Sequence, residues 1–454
     1  MRTPLSSPQK ARGDLSRVAI LFSGGPAPAA NAVIASAANC FSRAGIEVIG
    51  IRRGYTYLME YTGQAPLEEG VAYTVLDHRQ MEGMRTSAGI MIGTARANPG
   101  KDLRKPEDLR NDKAVAKLRA VYEALRSLNV GALISIGGDD TLTTAAKFKL
   151  FQETLDPAKP RIRVVHLPKT IDNDLQEIDF TFGYFTAVEM LATQVKNLLA
   201  DARSTSAYFL AQVMGRKAGW LAYGAAIAGE ASLVIGLEDI PEAWWAKEVT
   251  LDPETGKEVL DASTGKPVFR EVFDVKALVN RCVETMRLRD EDGKPYGVLV
   301  MAEGLAEFLP LAEIRQCMSE DDYRALRPDE FGHFPVSQLK FSGRLGRLIA
   351  EQYEKQTGRK RRVNGVQFGY EVRCQLPTAF DVVLGSQLGV GAYRALAERG
   401  LDGVMVSVDG QFDLVFKPFD KLMDYEKLRA RARLIDIQRD FHQLARYVEV
   451  WVND

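Results

Sequence analysis

Residues 131–153 read GALISIGGDDTLTTAAKFKLFQE, and the reading of this stretch decides the fold. An apolar run at 131–136 stops in Gly137-Gly138-Asp139-Asp140-Thr141, and a helix-forming segment follows at once. A buried strand that turns through a glycine pair into a helix is half of a βαβ unit. The same pattern flanks it on both sides. Upstream, 17–23 ends in Ser23-Gly24-Gly25-Pro26-Ala27-Pro28 before a helical run at 29–43; downstream, 163–167 ends in Pro168-Lys169-Thr170-Ile171-Asp172-Asn173-Asp174. Further strand-length apolar runs lie at 47–51, 208–213, 233–237, 297–302 and 403–408. Between them, 112–129 places Val115, Leu118, Val121, Leu125 and Leu128 on one helical face, and 185–203 reads as a second long helix. Such alternation implies right-handed βαβ units, mostly parallel sheets with helices on both faces, and ligands at the carboxyl ends of the strands.

Two stretches break the alternation. Residues 247–270 carry DPETG and DASTGKP, two turn signals around 257–260, and read as an exposed hairpin insertion; 310–335 is rich in Glu, Asp and Arg and reads as a surface excursion. The tail, 425–447, has the pattern of a charged amphipathic helix.

The 454 residues suffice for two or three domains, and a net charge of −1 provides no global basic field for nucleic acid or an anionic membrane. Cys40, Cys282, Cys317 and Cys374 are scattered without CxxC spacing, which points to a reducing cytoplasm rather than a disulfide scaffold or zinc ribbon. His78, His166, His333 and His442 are equally dispersed, which excludes HExxH-type metal chemistry. No apolar run reaches the ~18–20 residues of a membrane span, and the polar, basic first seventeen residues read as a flexible lead-in, not a signal peptide.

Three successive strand ends carry the chemistry. Gly24 and Gly25 allow a ligand close to the backbone, with a helix start behind them for phosphate; an ordinary strand-to-helix turn is the plain alternative. Asp139 and Asp140 beside a polyphosphate make sense with a divalent cation between them, Mg²⁺ taking one or two carboxylates plus phosphate oxygens; helix capping by Asp140 or Thr141 is the alternative there. Lys169 suits a transferred phosphoryl group, and Asp172 suits the base that takes the acceptor hydroxyl's proton. Two further strand ends read Met214-Gly215-Arg216-Lys217 and Glu303-Gly304, and Gly369-Tyr370-Glu371-Val372-Arg373 offers a tyrosine and an arginine for a sugar phosphate.

GGDDT, PKTIDND, FGYFTA, MGRKAGW, AEG and GYEVR occur in the order found in the phosphofructokinase family, and the resemblance spans roughly residues 18–416. The chain resembles the pyrophosphate-using branch more than the ATP-using branch, whose members have glycine where Asp140 and Lys169 stand. An acid at 140 repels a nucleotide's α-phosphate, and a compact cation at 169 suits short, densely charged pyrophosphate, so specificity arises from exclusion plus attraction.

The resemblance implies an α/β fold of two Rossmann-like three-layer domains with the active site in the cleft between them. It places a pyrophosphate- and Mg²⁺-binding domain at 1–184 with about 380–418, and a sugar-phosphate-binding domain at 185–379 with a C-terminal helix at 419–454. The implied reaction is reversible transfer from pyrophosphate to the 1-hydroxyl of fructose 6-phosphate. Carried over residue by residue, Asp172 is the base, Asp174 assists it and Asp139 holds Mg²⁺. Lys169 and Arg216 stabilise the transferred phosphoryl with a hydrogen bond from Thr170, and Gly24, Gly25 and Asp140 line the pyrophosphate site. Met214, Gly215, Arg216, Glu303, Tyr370 and Arg373 bind fructose 6-phosphate together with Thr170 and Asp172. An ATP-dependent phosphofructokinase and a non-catalytic regulatory subunit are the alternatives.

The departures are specific. Ala29 stands where the family usually has glycine, so the turn there is expected to differ. Ala207 and Asn364 stand where bacterial ATP enzymes carry two arginines that reach the sugar's 6-phosphate from a neighbouring subunit, with Arg361, Arg362 or Lys217 as substitutes. Ala35 replaces an arginine of the bacterial nucleotide-effector site, which implies no allostery of that kind. Relatives assemble through the second domain, which implies a homodimer or homotetramer, with no nucleic-acid or membrane partner.

Overall fold

The computed structural model of the chain describes residues 11–261, 264–327, 339 and 341–452. The lead-in at 1–10, His333 and the 328–335 part of the acidic excursion lie outside the described residues. In chain order the elements are β1 (Arg17–Phe22), α1 (Ala30–Arg43), β2 (Glu47–Ile51), α2 (Thr56–Met59), β3 (Tyr73–Val75), α3 (Asp112–Ser127), β4 (Ala132–Gly137), α4 (Asp139–Glu153), β5 (Arg163–Pro168) and α5 (Tyr184–Thr205). There follow β6 (Tyr208–Val213), α6 (Trp220–Gly229), β7 (Leu233–Ile235), β8 (Trp245–Val249), β9 (Phe269–Phe273), α7 (Val275–Glu291) and β10 (Gly297–Ala302). The remainder comprises α8 (Leu311–Gln316), α9 (Glu320–Ala325), α10 (Phe341–Thr357), β11 (Val363–Phe368), α11 (Ala379–Tyr393), β12 (Val404–Asp409), β13 (Asp413–Pro418), α12 (Phe419–Leu422), β14 (Met423–Asp424), β15 (Arg429–Ala430) and α13 (Asp440–Val448).

The chain divides into two compact units, Met1–Ala187 with Val372–Arg433, and Val188–Glu371 with Leu434–Asp454. The first contains a seven-stranded sheet in the order β13-β12-β5-β4-β1-β2-β3. Its five central strands run parallel, and only the edges β3 and β13 are antiparallel. β1 and β4 are fully or almost fully buried, as continuous Val/Ile/Leu runs in a sheet covered on both faces must be. From β1 the chain proceeds to β2 on one side and returns to β4 on the other, with Phe22 opposite Ile136. The crevice of a doubly wound sheet opens at such a reversal, outside the carboxyl ends of the strands.

The second unit contains a parallel four-stranded sheet in the order β11-β6-β10-β7. Its core gathers Tyr208, Leu210, Leu299 and Met301 from the strands with Leu278, Cys282 and Met286 of α7 and Leu345, Ile349 and Tyr353 of α10. The insertion after β7 is a double hairpin on a β8–β9 ribbon, with tight turns in which Asp252 and Asp261 accept backbone N–H bonds. Its tip is exposed as expected, but its base is not: the Arg270 guanidinium is buried, donating to the Glu307 carbonyl and pairing with Glu248.

Two expectations are corrected here. The stretch after Pro310 is not wholly a surface excursion, because Leu311, Ile314, Cys317 and Leu326 are buried in the second unit's core beneath the charged residues. The C-terminal region is not one helix over 419–454 or 425–447. Only Asp440–Val448 is a substantial helix, while 423–430 forms the small β14–β15 hairpin. Asp424 Oδ1 accepts from the amides of Glu426 and Lys427, Leu428 is left-handed at φ 45, and the following backbone bonds to distant partners instead of itself. Residues 419–433 accordingly pack with the first unit and 434–452 with the second.

Candidate active site

At the end of β1, Gly24 has φ 92, a left-handed conformation that favours glycine. A Cβ built on it would lie 3.4 Å from Lys169 Nζ, so the lysine head sits directly against the glycine loop. The loop is held from behind: Ala95 O accepts from Gly24 N at 3.0 Å and Ser23 Oγ at 3.2 Å, and Thr94 Oγ1 donates to Gly24 O at 2.7 Å. Ala29 takes up φ 64 as the residue before α1, so it adopts the left-handed turn that glycine would supply, at a cost of ~1–2 kcal/mol. The turn at Ala29 therefore carries backbone strain that a glycine there would not.

At the end of β4, the residue preceding α4 is Gly138, which has no side chain to cap the helix, so neither Asp140 nor Thr141 is its N-cap. Asp139 and Asp140 fall in the first turn, where the positive end of the helix dipole stabilises a carboxylate by ~0.3–1 kcal/mol and also attracts a phosphate. Asp139 is half-buried and Asp140 exposed.

β5 delivers Lys169, which is buried, with its amide bonded to Gly137 O at 2.9 Å. Burial lowers its ammonium pKa to about 8, against the opposing pull of Asp172, Asp174 and Asp139; Arg373 lowers it further. Beneath it, His166 Nε2 lies 3.1 Å from Gly137 O, and burial holds its pKa at about 3, so the ring is neutral and donates to that carbonyl. Thr170 Oγ1 accepts from Asp172 N at 3.0 Å, which leaves its hydroxyl proton for a ligand, and Thr181 Oγ1 donates to Thr170 O at 2.6 Å. Arg373 lies on the same side: a Cβ on Gly25 would be 3.8 Å from its Cζ. Lys169, Arg373, the three aspartates and the Gly24-Gly25 loop thus share one end of the first unit's sheet.

In the second unit, Gly215 N donates to Glu303 Oε2 at 3.4 Å and Gly304 N to Gly215 O at 3.2 Å, joining the ends of β6 and β10. Gly304 is required there, since a Cβ would stand 2.3 Å from Arg216 O. Met214 N bonds to Phe368 O at the end of β11, and Tyr370, just beyond, is 65% exposed. Arg216 makes a two-point pair with Glu307 at 3.0 and 2.7 Å. Ala207 and Asn364 lie at the opposite, amino ends of β6 and β11, and Arg361 nearby pairs with Asp290.

Several participants escaped the sequence reading. Glu307 was legible only as a second acid four residues after Glu303. Thr94, through its hydroxyl, and Ala95, through its carbonyl, brace the glycine loop by contacts that no motif announces. Lys147, on the inward face of α4, donates to Gly100 O at 3.0 Å and Leu103 O at 2.5 Å, anchoring the segment that backs the glycine loop.

Among the described residues no group of three or more His, Cys, Asp or Glu could hold a metal ion as a cage. Asp139 in the first turn of α4 fits the other mode, in which a divalent cation takes few carboxylates and is completed by anion oxygens and water.

A doubly wound sheet ending in an anion loop, an acid pair at a helix start, and a lysine among aspartates defines an α/β phosphotransferase. The chain belongs to the phosphofructokinase family, whose model matches residues 17–251. It is 31% identical over 435 residues to the pyrophosphate–fructose 6-phosphate 1-phosphotransferase of Thermotoga maritima, covering 95% of this chain and 89% of that one. It is 32% identical to the Naegleria fowleri protein of the same name, covering 94% and 86%, and 28% identical to an ATP-dependent 6-phosphofructokinase of Chloroflexus aggregans, covering 92% and 94%. In fold it superposes on the T-state phosphofructokinase of Pichia pastoris with TM-score 0.60 at 21% identity; 92% of this chain spans 36% of that longer one.

Proposed function

We propose that the chain transfers a phosphoryl group reversibly between pyrophosphate and the 1-hydroxyl of fructose 6-phosphate, yielding fructose 1,6-bisphosphate and phosphate. The observation that carries the reading is Lys169: a buried cation against the Gly24 loop, with Asp139, Asp172 and Asp174 within electrostatic reach. In this reading Asp172 accepts the hydroxyl proton as the sugar oxygen bonds to the terminal phosphorus and the bond to the bridging oxygen breaks. Phosphate then leaves. Lys169, Arg216 and the Thr170 hydroxyl balance charge on the transferred group, which in a loose transition state is most of what the protein must do, and Arg373 lies beside the Gly24-Gly25 loop. Asp174 supports the base. Asp139 would hold Mg²⁺, which neutralises charge on the diphosphate when bound. Arg216, Met214, Gly215, Glu303 and Tyr370 serve the sugar phosphate, and Arg216 would exchange Glu307 for phosphate.

The test is a donor comparison with purified protein, fructose 6-phosphate and Mg²⁺. Turnover with pyrophosphate and little with ATP is expected; preference for ATP overturns the donor assignment, and no turnover with either overturns the enzyme assignment. Ala35, where the resemblance places an effector arginine, is fully buried in α1. Added ADP is accordingly expected to shift sugar-phosphate affinity by less than about tenfold.

The Lys169 pKa gives a pH prediction. The side chain is cationic below about 8 and neutral above it. kcat/KM for pyrophosphate should therefore fall as pH rises through about 8, while kcat, set in the occupied complex where a polyanion favours the ammonium, should hold to higher pH. The check is a rate profile from about pH 6.5 to about 9.5 with Lys169→Arg beside the wild type. A fall that the arginine does not move upward belongs to another group.

A further inference from the structure

The loop that carries the reacting aspartates has an unusual backbone. Asn173 and Glu177 are left-handed, at φ 54 and 62, a conformation that asparagine tolerates but that is costly for glutamate unless the surroundings impose it. The surroundings come from the far end of the first unit's chain. Arg433 Nε and Nη2 donate to Asn173 O at 3.2 and 2.8 Å, Nη2 also reaches Asp179 O at 2.8 Å, and Nη1 donates to Ile178 O. Its own amide donates to Asp174 O at 2.7 Å. One planar guanidinium thus pins the loop where it leaves Asp172 and where it returns, a task suited to its fixed fork of donors. Neighbours extend the hold: Ala432 bridges Leu175 in antiparallel fashion and accepts from Gln176 Nε2 at 3.2 Å, while Ala430 N donates to Thr143 Oγ1 of α4 at 2.9 Å. Leu428 and Leu175 are fully buried beneath the contact. Residues 428–433 therefore strap the aspartate loop to the helix that begins with Asp139.

We propose that Arg433 is a positioning residue for phosphoryl transfer, clasping the carbonyls of the 173–179 loop so that Asp172 and Asp174 keep the geometry that proton abstraction requires. The proposal rests on Asp172 being the base. The Arg433 guanidinium bonds to backbone carbonyls of the loop and its charge lies within electrostatic reach of Asp174, so its effect should appear in the chemical step more than in substrate capture. Displacing a reacting group by about 1 Å costs on the order of 10²-fold in rate.

The experiment uses the full chain with Arg433→Met and Arg433→Lys, the lysine keeping charge and part of the bonding if the methionine protein folds poorly. Pyrophosphate turnover by the wild type is measured first and tests the underlying reading separately. The clasp predicts kcat lower by ~10–100-fold in Arg433→Met with KM values within about threefold, a smaller loss in Arg433→Lys, and partial recovery of kcat with added guanidinium at concentrations that leave the wild type unaffected. Hydrogen exchange should accelerate at the 172–181 amides without comparable change in β1 or β4. Wild-type kcat in both variants overturns the proposal, as does a loss of kcat that merely tracks a lowered unfolding midpoint without guanidinium rescue. If the wild type turns over neither donor, exchange alone decides: unchanged protection at 172–181 removes Arg433 from its role, and lost protection retains it as the clasp of this loop.

Discussion

Asp172→Asn is expected to lower kcat by roughly 10²–10⁴-fold while leaving pyrophosphate affinity within a few-fold of wild type. The size follows from the role. A sugar hydroxyl is a poor nucleophile until its proton has somewhere to go, and an amide of the same shape cannot accept it. The selectivity follows from the geometry. Asp172 is half-buried, its amide is already satisfied by Thr170 Oγ1, and the loop around it is held through Asn173 Oδ1 and the Arg433 guanidinium. The substitution should therefore spare the fold, and the unfolding midpoint should move little. Removing one of three carboxylates near Lys169 makes the ammonium somewhat easier to deprotonate, so its pKa should shift below about 8. The measurements are steady-state kinetics in both directions and direct pyrophosphate binding. Turnover within a factor of a few of wild type would remove Asp172 from the role of base; lost binding with intact turnover would make it a donor ligand instead.

How much of this was legible in the sequence depends on which forces fixed each part. The eight expected strands appear within a residue or two of their anticipated bounds, because strands buried on both faces must be continuous apolar runs flanked by turns. The strands that escaped notice obey other rules. β11, VNGVQF, carries Asn, Gly and Gln at a sheet edge; β3 has three residues; β13, DLVFKP, is a half-buried antiparallel return. The tail misled for the opposite reason. Its amphipathic period was genuine, but from 423 to 433 the backbone gains more by bonding to α4 and the aspartate loop than a helix would return. The site divides in the same way. Asp139, Lys169, Asp172 and Asp174 sit at strand ends, where chain order is spatial order, so motif and position agree. Arg433 lies 260 residues from Asn173 and Glu307 binds its arginine across 91, and neither pairing has a local signature.

The second large effect concerns the donor. Lys169→Gly combined with Asp140→Gly should move preference from pyrophosphate towards ATP, and the two changes should contribute differently. Lys169 is a buried cation against the Gly24 loop; at ~4 Å from a diphosphate oxygen and an effective dielectric near 20, the attraction is about 4 kcal/mol, on the order of 10³-fold. Lys169→Gly alone should therefore forfeit most pyrophosphate turnover without creating ATP turnover. Asp140 is exposed in the first turn of α4, so its effect is repulsion through a more solvated space, and Asp140→Gly alone should cost pyrophosphate little while easing ATP inhibition or entry. Because both residues face one ligand, the double variant should exceed the sum of the singles in ATP kcat/KM. Steady-state kinetics with both donors on all four proteins provides the check. A double variant that still prefers pyrophosphate would mean that the donor is selected elsewhere, and attention would pass to Arg373, whose guanidinium lies beside Gly25 and within electrostatic reach of the same lysine.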